Sequence, residues 1–303
     1  MKPLNFRLCN ISSYTTELLE IEADDPQLHV LFIPGNPGVI GLYKDFLEFL
    51  FVLLGEVASI TAIGHIAHTQ KDWEHGRLFS LQEQIDHKVD FIRNELQNVE
   101  VPIVLVGHSI GSYISLEMLR RCKEKVVYCV ALYPFLTLNP KSSWQPIIGT
   151  ISGSLKVSSL VSCIVALLGM LVPKWALRLI ALKVIGKSCS ATVVEAACSH
   201  LLQYHVMQNV LFMTMTEFKK LLEPPDWTFM RENKDKVTFL FGDDDHWAPL
   251  LMFEEISKQV PGIALSVERE GHTHCFCCTE TGSLWVARHV ACLINSRILS
   301  PEK

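Results

Sequence analysis

Short, almost uninterrupted runs of apolar residues recur along the chain, and each run ends at turn-forming or charged residues. The runs are 29–35, 101–107, 126–134, 236–242 and 264–270. Strands in a parallel sheet have this pattern, because helices cover the sheet on both faces and both sets of side chains are buried. The pattern therefore predicts five buried strands.

Helical patterns lie between these runs. The segment 81–96 places apolar residues at steps of four, three and four, which form one stripe along a helix, and 112–121 and 283–294 repeat the pattern. Alternating strands and helices predict an α/β fold with a mostly parallel, doubly wound sheet. In such sheets the functional loops follow the carboxyl ends of the strands.

One interval breaks the alternation. Residues 135–236 lie between two predicted strands and are too many for an ordinary crossover. We therefore predict that residues 1–303 form a single domain in which 135–236 are an inserted helical cap. The cap is apolar and basic, since no Asp or Glu occurs from 125 to 194 while several lysines do.

The sequence Gly107-His108-Ser109-Ile110-Gly111 stands directly between a predicted strand and a predicted helix. Glycines two residues on either side of Ser109 let the backbone pack closely at a sharp turn, as in a nucleophile elbow. A serine hydroxyl is a weak nucleophile until a base takes its proton, so an elbow predicts an acid and then a histidine farther along the chain. We predict Ser109 as the nucleophile.

Three consecutive aspartates follow the predicted strand 236–242. We select Asp245 as the acid, because Gly242 three residues before it and Pro249 four residues after it fit the acid loop of this fold. We interpret Asp243 and Asp244 as residues of a solvated turn.

Two backbone N–H groups are predicted to form an oxyanion hole. One belongs to Ile110, the residue after the nucleophile, and the other to Asn36 in the loop after the first predicted strand. In that loop Gly35 and Gly38 permit a close backbone approach, and Asn36 keeps the N–H that the two prolines lack.

Two histidines and three cysteines lie within 270–278, a spacing that suggests either a metal site or the base of a catalytic triad. A zinc site needs paired ligands with partners elsewhere in the chain, and we predict neither a metal nor a cofactor. The residues alone leave both His272 and His274 open as the base. The cysteines are interpreted as small apolar fillers of the core: Cys275, Cys277 and Cys278.

Several motifs together resemble the lipid droplet-associated hydrolase family over about residues 29–290. They are IPGNPG (33–38), QIDHK (84–88), GHSIGSY (107–113), the acid loop with its Trp-Ala-Pro, and the final His-Cys-Phe. The resemblance implies an α/β-hydrolase fold and selects His274 as the base beside Ser109 and Asp245. The acid loop departs from the family pattern, in which proline commonly follows the acid, because His246 stands there.

The resemblance also implies a function and a location. It implies hydrolysis of sterol esters or acylglycerols, with a neutral lipid as substrate, on lipid droplets and the endoplasmic reticulum at the cytosolic face. Two alternatives stay open: a droplet-surface protein with little or no catalysis, and an acyltransferase that uses the same residues.

Composition narrows the possible classes of protein further. Apolar residues make up 49% of the chain and the net charge is −5, which argues against a disordered protein and against a nucleic-acid binder. The ten cysteines, behind an N-terminus without an apolar signal core, predict a reducing compartment.

The segment 157–187 is the candidate lipid-interface element. Its first part, 157–173, carries no charge and reaches the lower limit for a spanning helix. A single crossing would separate Ser109 from Asp245 and His274, so we predict a monotopic hairpin bent near Pro173. The alternative is a pair of cap helices packed over the active site.

Overall fold

The computed structural model describes residues 3–185 and 189–299, and within them a single mixed sheet holds the core. Its strands are β1 (Asn5–Ile11), β2 (Tyr14–Ile21), β3 (Leu28–Ile33), β4 (Ala58–Ile63), β5 (Ile103–His108), β6 (Val126–Leu132), β7 (Val237–Gly242) and β8 (Ala264–Glu268). The spatial order is β1-β2-β4-β3-β5-β6-β7-β8. Strands β3 to β8 pair in parallel, whereas β2 is antiparallel to both β1 and β4.

The five predicted strands are present as β3, β5, β6, β7 and β8, which confirms the mostly parallel α/β sheet. The α-helices of the described residues are α1 (Lys44–Leu53), α2 (Leu81–Asn94), α3 (Ile110–Arg121), α4 (Trp144–Ser152), α5 (Leu155–Leu171), α6 (Lys174–Ile185), α7 (Ala191–Ala196), α8 (Tyr204–Lys220), α9 (Trp227–Glu232), α10 (Leu250–Gln259) and α11 (Glu280–Ile294).

Helices cover both faces of the sheet, as the apolar runs predict. Along β5, Ile103 and Leu105 belong to one apolar cluster and Val104 and Val106 to the other, because successive strand residues point to opposite faces. Helices α2, α3 and α10 bury their apolar stripes in the first cluster, and α1 and α11 bury theirs in the second. The sheet is therefore a fixed platform for the loops at its edge.

Helix α2 illustrates how local sequence starts one of these elements. The Ser80 hydroxyl accepts the N–H of Glu83 at 3.3 Å, and the Glu83 carboxylate accepts the N–H of Ser80 at 2.8 Å. This capping box satisfies two N–H groups that a helix start leaves without partners. The predicted stripe of Ile85, Val89 and Ile92 then turns inward and is buried.

The chain between β6 and β7 folds into α4 to α9 in its described part, where the sequence predicted a helical insertion. Helix α8 packs against α4, α5 and α2. Helices α5 and α6 are separated by Val172 and Pro173, where a bend was predicted. Residues 186 and 187 of the predicted lipid-interface segment lie outside the described residues.

Within the described ranges, no single helix is both long and apolar enough to cross a membrane. The pair α4 and α5, whose axes meet at 99°, reaches that length and hydropathy only when the two helices are counted together.

Candidate active site

Ser109 stands on a sharp turn between β5 and α3. Its backbone is in an unusual conformation, with φ 56° and ψ −123°, which lifts the side chain above the end of the sheet. The flanking glycines are needed for close packing. A Cβ on Gly107 would lie 2.3 Å from the carbonyl oxygen of Gly111, and a Cβ on Gly111 would lie 2.3 Å from that of Ile33. The local geometry is that of the predicted elbow.

The structure brings Ser109, His274 and Asp245 together in one hydrogen-bonded array. The Ser109 hydroxyl lies 2.9 Å from Nε2 of His274, and Nδ1 of the same ring lies 2.7 Å from Oδ2 of Asp245. The three residues follow β5, β8 and β7, whose carboxyl ends share one edge of the sheet. Nδ1–H can donate to Asp245 while Nε2 accepts the serine proton.

The Asp245 carboxylate is charged although its side chain is only 1% exposed. Burial by itself would raise its pKa. The charge and hydrogen bond of His274, together with the N–H groups of Ala248 and Trp247, outweigh burial and lower the pKa below its usual value. The Trp247 N–H donates to Oδ1 at 2.7 Å, so both carboxylate oxygens have partners and face fixed directions.

The imidazole of His274 is a stronger base than an ordinary histidine. Burial would lower its pKa, but the charge and hydrogen bond of Asp245 raise it more, and the net pKa is above 6.5. The side chain is 13% exposed, so a substrate can approach the ring from one side. Such a base can take a proton from the Ser109 hydroxyl and return it to a leaving group.

Two backbone N–H groups near Ser109 match the predicted oxyanion donors. Ile110 is the first residue of α3, so its N–H has no acceptor within the helix and lies at the positive end of the helix dipole. In the loop after β3, a Cβ on Gly35 would lie 3.1 Å from Cβ of Ser109, so this loop touches the nucleophile. The Gly35 N–H already donates to Tyr43 Oη at 3.1 Å, which makes Asn36 the next donor along the loop.

His108 and Tyr43 form a buried network around the nucleophile that the sequence did not reveal. The Tyr43 hydroxyl lies 2.8 Å from Nδ1 of His108, and Nε2 of His108 lies 2.9 Å from the carbonyl oxygen of His274. Burial, followed by the nearby charge of His274, lowers the pKa of His108 to about 3, so its ring is neutral. The Tyr43 O–H can then donate to Nδ1 and Nε2–H to the His274 carbonyl. One ring thereby ties the base loop to the loop of Gly35.

Residues 64–68 hold the loop after β3, and the motif at 84–88 holds residues 64–68 in turn. The His65 N–H donates to the Gly38 carbonyl at 3.1 Å, and the Gly38 N–H donates to Nδ1 of His68 at 2.9 Å. The buried Nζ of Lys88 donates to the Gly64 carbonyl at 2.8 Å and to Gln84 Oε1 at 3.0 Å. These contacts hold the loop after β3 in position.

His272 is placed differently from His274. Its N–H donates to Oε2 of Glu268 at 3.0 Å, and its ring lies 6.0 Å from that of Trp285. The side chain of His246 is exposed, whereas both oxygens of Asp245 are bonded to other groups. The geometry thus joins His274, and neither of these two histidines, to Asp245.

The interpretation of all three nearby cysteines as core fillers is wrong for one of them. Cys277 is buried and Cys278 is partly buried, but Cys275 is exposed. Cys275 and Cys278 have the two-residue separation that zinc sites use. Nevertheless, within residues 3–185 and 189–299 no three His, Cys, Asp or Glu side chains are grouped to hold a metal ion.

Known proteins resemble this chain in both sequence and fold. The family described as lipid-droplet associated hydrolase matches residues 26–277. A lipid droplet-associated hydrolase of Gallus gallus is 27% identical over 264 residues, covering 83% of this chain and 80% of the relative. One from Dictyostelium discoideum is 26% identical over 261 residues, covering 81% of each chain.

A solved structure supports the fold independently. A peroxisomal alpha-beta-hydrolase from Saccharomyces cerevisiae superposes with a TM-score of 0.68, covering 99% of this chain and 91% of its own, at 12% identity. At that identity the likeness concerns the fold alone, which is the α/β-hydrolase fold. Because the family match extends over most of the sequence, the chain belongs to the lipid-droplet associated hydrolase family.

Proposed function

We propose that this protein is a serine ester hydrolase that acts on neutral lipids, sterol esters or acylglycerols, at the surface of lipid droplets. The observation that carries the proposal is the array of Ser109, His274 and Asp245 at the start of α3, whose first residue is Ile110. The names of the relatives, which are called lipid droplet-associated hydrolases, support the lipid substrate and the droplet location.

Acylation begins when Nε2 of His274 takes the proton of Ser109 and the hydroxyl oxygen attacks the ester carbonyl. The carbonyl oxygen gains negative charge, and the N–H groups of Ile110 and Asn36 stabilise it. Asp245 holds the ring in the correct orientation and stabilises its positive charge. The imidazolium then gives its proton to the leaving alcohol, and an acyl-enzyme forms.

Deacylation repeats these steps with water in place of Ser109. His274 takes a proton from water, and the water oxygen attacks the acyl carbonyl. The bond from the acyl carbon to Oγ of Ser109 then breaks, the imidazolium returns its proton to Oγ, and a fatty acid is released. No metal or cofactor takes part in this scheme. An acceptor alcohol in place of water would make the same residues transfer the acyl group.

Helix α5 supports the lipid-surface half of the proposal, because its polarity is inverted. Ser158 and Ser162 are buried, whereas Leu160, Ile164 and Leu168 on the opposite side are each about half exposed. A helix at an aqueous surface would place its leucines inward. An outward apolar face instead suits the hydrocarbon of a lipid interface.

Neighbouring helices extend this face. Among the described side chains, the exposed large apolar ones of α4 and α6 are Trp144, Ile147, Trp175 and Leu179. Met170 and Leu171 at the end of α5 are more than 70% exposed. We refer to these residues and the outward side of α5 as the lipid face. Helix α6 carries two cations on this part of the insertion: Arg178 is paired with Glu195, and Lys183 is exposed.

The lipid face belongs to the insertion 135–236. We propose that residues 1–303 form a single domain, in which this insertion acts both as a cap over the active site and as a monotopic anchor. A monotopic anchor leaves Ser109 and Asp245 on one side of the lipid. We assign that side to the cytosol, on droplets and on the endoplasmic reticulum.

The test is hydrolysis of emulsified cholesteryl oleate and triolein by the purified protein, with product analysis by mass spectrometry. We expect free fatty acid from the wild type, none from Ser109→Ala, and unchanged release from the control His272→Ala. Release of equal fatty acid by Ser109→Ala would contradict the proposal. Acyl transfer to added alcohol without free acid would move the assignment to a transferase.

A further inference from the structure

The side chain of Asn36 is docked on the cap helix α8. Its Nδ2 lies 3.0 Å from the carbonyl oxygen of Val210, 3.0 Å from Oγ1 of Thr214 and 3.0 Å from Oε1 of Glu217. Residues 210, 214 and 217 are four and three positions apart, so they share one face of the helix. Asn36 therefore joins the loop after β3 to the inserted cap.

The orientation of this amide follows from chemistry. A peptide carbonyl can only accept a hydrogen bond, so the group facing Val210 must be the nitrogen. The Thr214 hydroxyl donates its own hydrogen to the Val210 carbonyl at 2.8 Å, which leaves its oxygen lone pairs for Asn36. Glu217 offers the remaining acceptor.

Glu217 is an unusual residue at this place in the chain. It is only 3% exposed in a helix rich in Met and Phe, and its bonded partner is Asn36. Burial raises its pKa to about 8, and the bond from Asn36 offsets this only in part. The carboxyl is thus neutral at pH 7, with one oxygen available as an acceptor for Asn36. A buried carboxyl is costly, so its presence calls for a role other than packing.

We propose that Glu217 is a positioning residue for the oxyanion hole: from α8 it fixes the Asn36 side chain and so orients the Asn36 N–H beside Ser109. This inference rests on the proposed ester hydrolysis. The neighbouring backbone groups explain why Asn36, and not another residue of this loop, is the oxyanion donor. The Gly35 N–H is already bonded to Tyr43, and Pro37 has no N–H, so Asn36 supplies the donor of this loop.

The cap then does more than cover the site, because it holds part of the catalytic apparatus in place. Helix α8 also contacts α5, where Gln208 donates to the Ser159 hydroxyl at 2.9 Å. Its contact with Asn36 and its contact with α5 are separate, which permits a matched control. Gln208→Leu loosens the cap without touching Asn36.

The experiment compares Glu217→Leu, Glu217→Gln and Gln208→Leu with the wild type on the water-soluble ester p-nitrophenyl butyrate. Glu217→Leu removes one of the three acceptors around Asn36 Nδ2 and so weakens the hold on this side chain. We therefore expect kcat to fall at least about tenfold while KM changes less than about twofold. Glu217→Gln keeps an acceptor oxygen and a donor in the same shape as the neutral carboxyl, so kcat should stay within about twofold. Gln208→Leu should keep the wild-type kcat.

The outcomes separate the two claims. A wild type that hydrolyses no ester contradicts the proposed function itself. An active wild type with unchanged kcat in folded Glu217→Leu, or with equal losses in Glu217→Gln and Glu217→Leu, overturns the positioning role. If Glu217→Leu does not fold, Thr214→Val removes a second acceptor of Asn36, and a kcat reduced at least about threefold supports the role. An unchanged kcat in that variant overturns it.

Discussion

In the proposed mechanism Ser109 depends on its neighbours, since a serine hydroxyl holds its proton at neutral pH. His274 lies 2.9 Å from it, and Asp245 raises the pKa of that ring above 6.5. A general base must be neutral to accept a proton. The charge of Asp245 thus makes the base stronger but also moves the lower pH limit of activity upward.

This balance predicts a pH profile. In the wild type, kcat/KM for p-nitrophenyl butyrate should fall with decreasing pH through a value above 6.5, as His274 becomes charged. In Asp245→Asn the charge that raises the pKa is absent, so the acid limb should move to lower pH and kcat should fall about a thousandfold or more. An acid limb at the same pH in both proteins would show that Asp245 does not act on the titrating group.

Residue type and spacing were enough to predict Ser109, Asp245 and His274 as the candidate triad, and the structure places the three side chains in contact. Their catalytic roles stay predictions. The sequence did not reveal the contacts of Tyr43 or Glu217, because each contacts a partner far away in the chain. The contact of Glu217 with Asn36 spans 181 positions. A lone carboxylate within an apolar helix pattern was the only local sign of it.

At the scale of elements, the strands with continuous apolar runs were predictable, whereas β1, β2 and β4 were not. Strand β1 is mostly exposed, every residue of β2 is buried or intermediate, and neither strand has a continuous apolar run. They are joined through Ser12 and Ser13, both with positive φ, where a hairpin signal normally requires Asn or Gly. In β4, the polar residues Ser59 and Thr61 alternate with apolar ones and interrupt the apolar run.

Helix α8 carries a stability prediction that is separate from catalysis. Folded Glu217 ionises near pH 8, whereas its ordinary value is 4.5. Between those values unfolding releases a proton, so Glu217 makes the folded state less stable as the pH rises. Replacing it by Gln removes this effect. Glu217→Gln should gain free energy of unfolding relative to the wild type between about pH 5 and 8, by up to about 1.4 kcal/mol per pH unit.

The measurement is urea unfolding of both proteins at several pH values. Parallel stability curves across that range would contradict the buried, neutral state of Glu217. The matched surface control is Glu232→Gln, at an exposed position at the end of α9, which should leave the pH dependence unchanged.

At the scale of the whole molecule, helices of the insertion 135–236 have an inward side and an outward side, and the sequence could not tell one from the other. Apolar periodicity showed that 157–187 contains apolar helices but not which side of them faces inward. In α5 the small serines pack against the protein and the large apolar residues face out. Only the tertiary contacts of α5 with α8 reveal that inversion.

The inversion predicts how the molecule binds lipid. The test variant combines Leu160→Ser, Ile164→Ser and Leu168→Ser. Each substitution removes an apolar side chain that would enter the interface and weakens the free energy of lipid binding by roughly 1 kcal/mol. The partition coefficient onto phospholipid-coated triolein droplets should drop by about tenfold or more, while kcat on a soluble ester stays the same. Flotation centrifugation measures the partition.

The control for this variant is Leu222→Ser with Leu251→Ser, which removes exposed leucines outside the lipid face. Its partition should match the wild type. Equal loss in both variants would indicate non-specific hydrophobic adsorption, and no loss in the triple variant would contradict the lipid face.

The most direct test of the account is labelling by a fluorophosphonate probe, which reacts with an activated serine, followed by peptide mapping. We predict labelling of Ser109 in the wild type and in His272→Ala, and none in Ser109→Ala or His274→Ala. An unlabelled wild type, or labelling that survives in His274→Ala and disappears in His272→Ala, would contradict the active site described above.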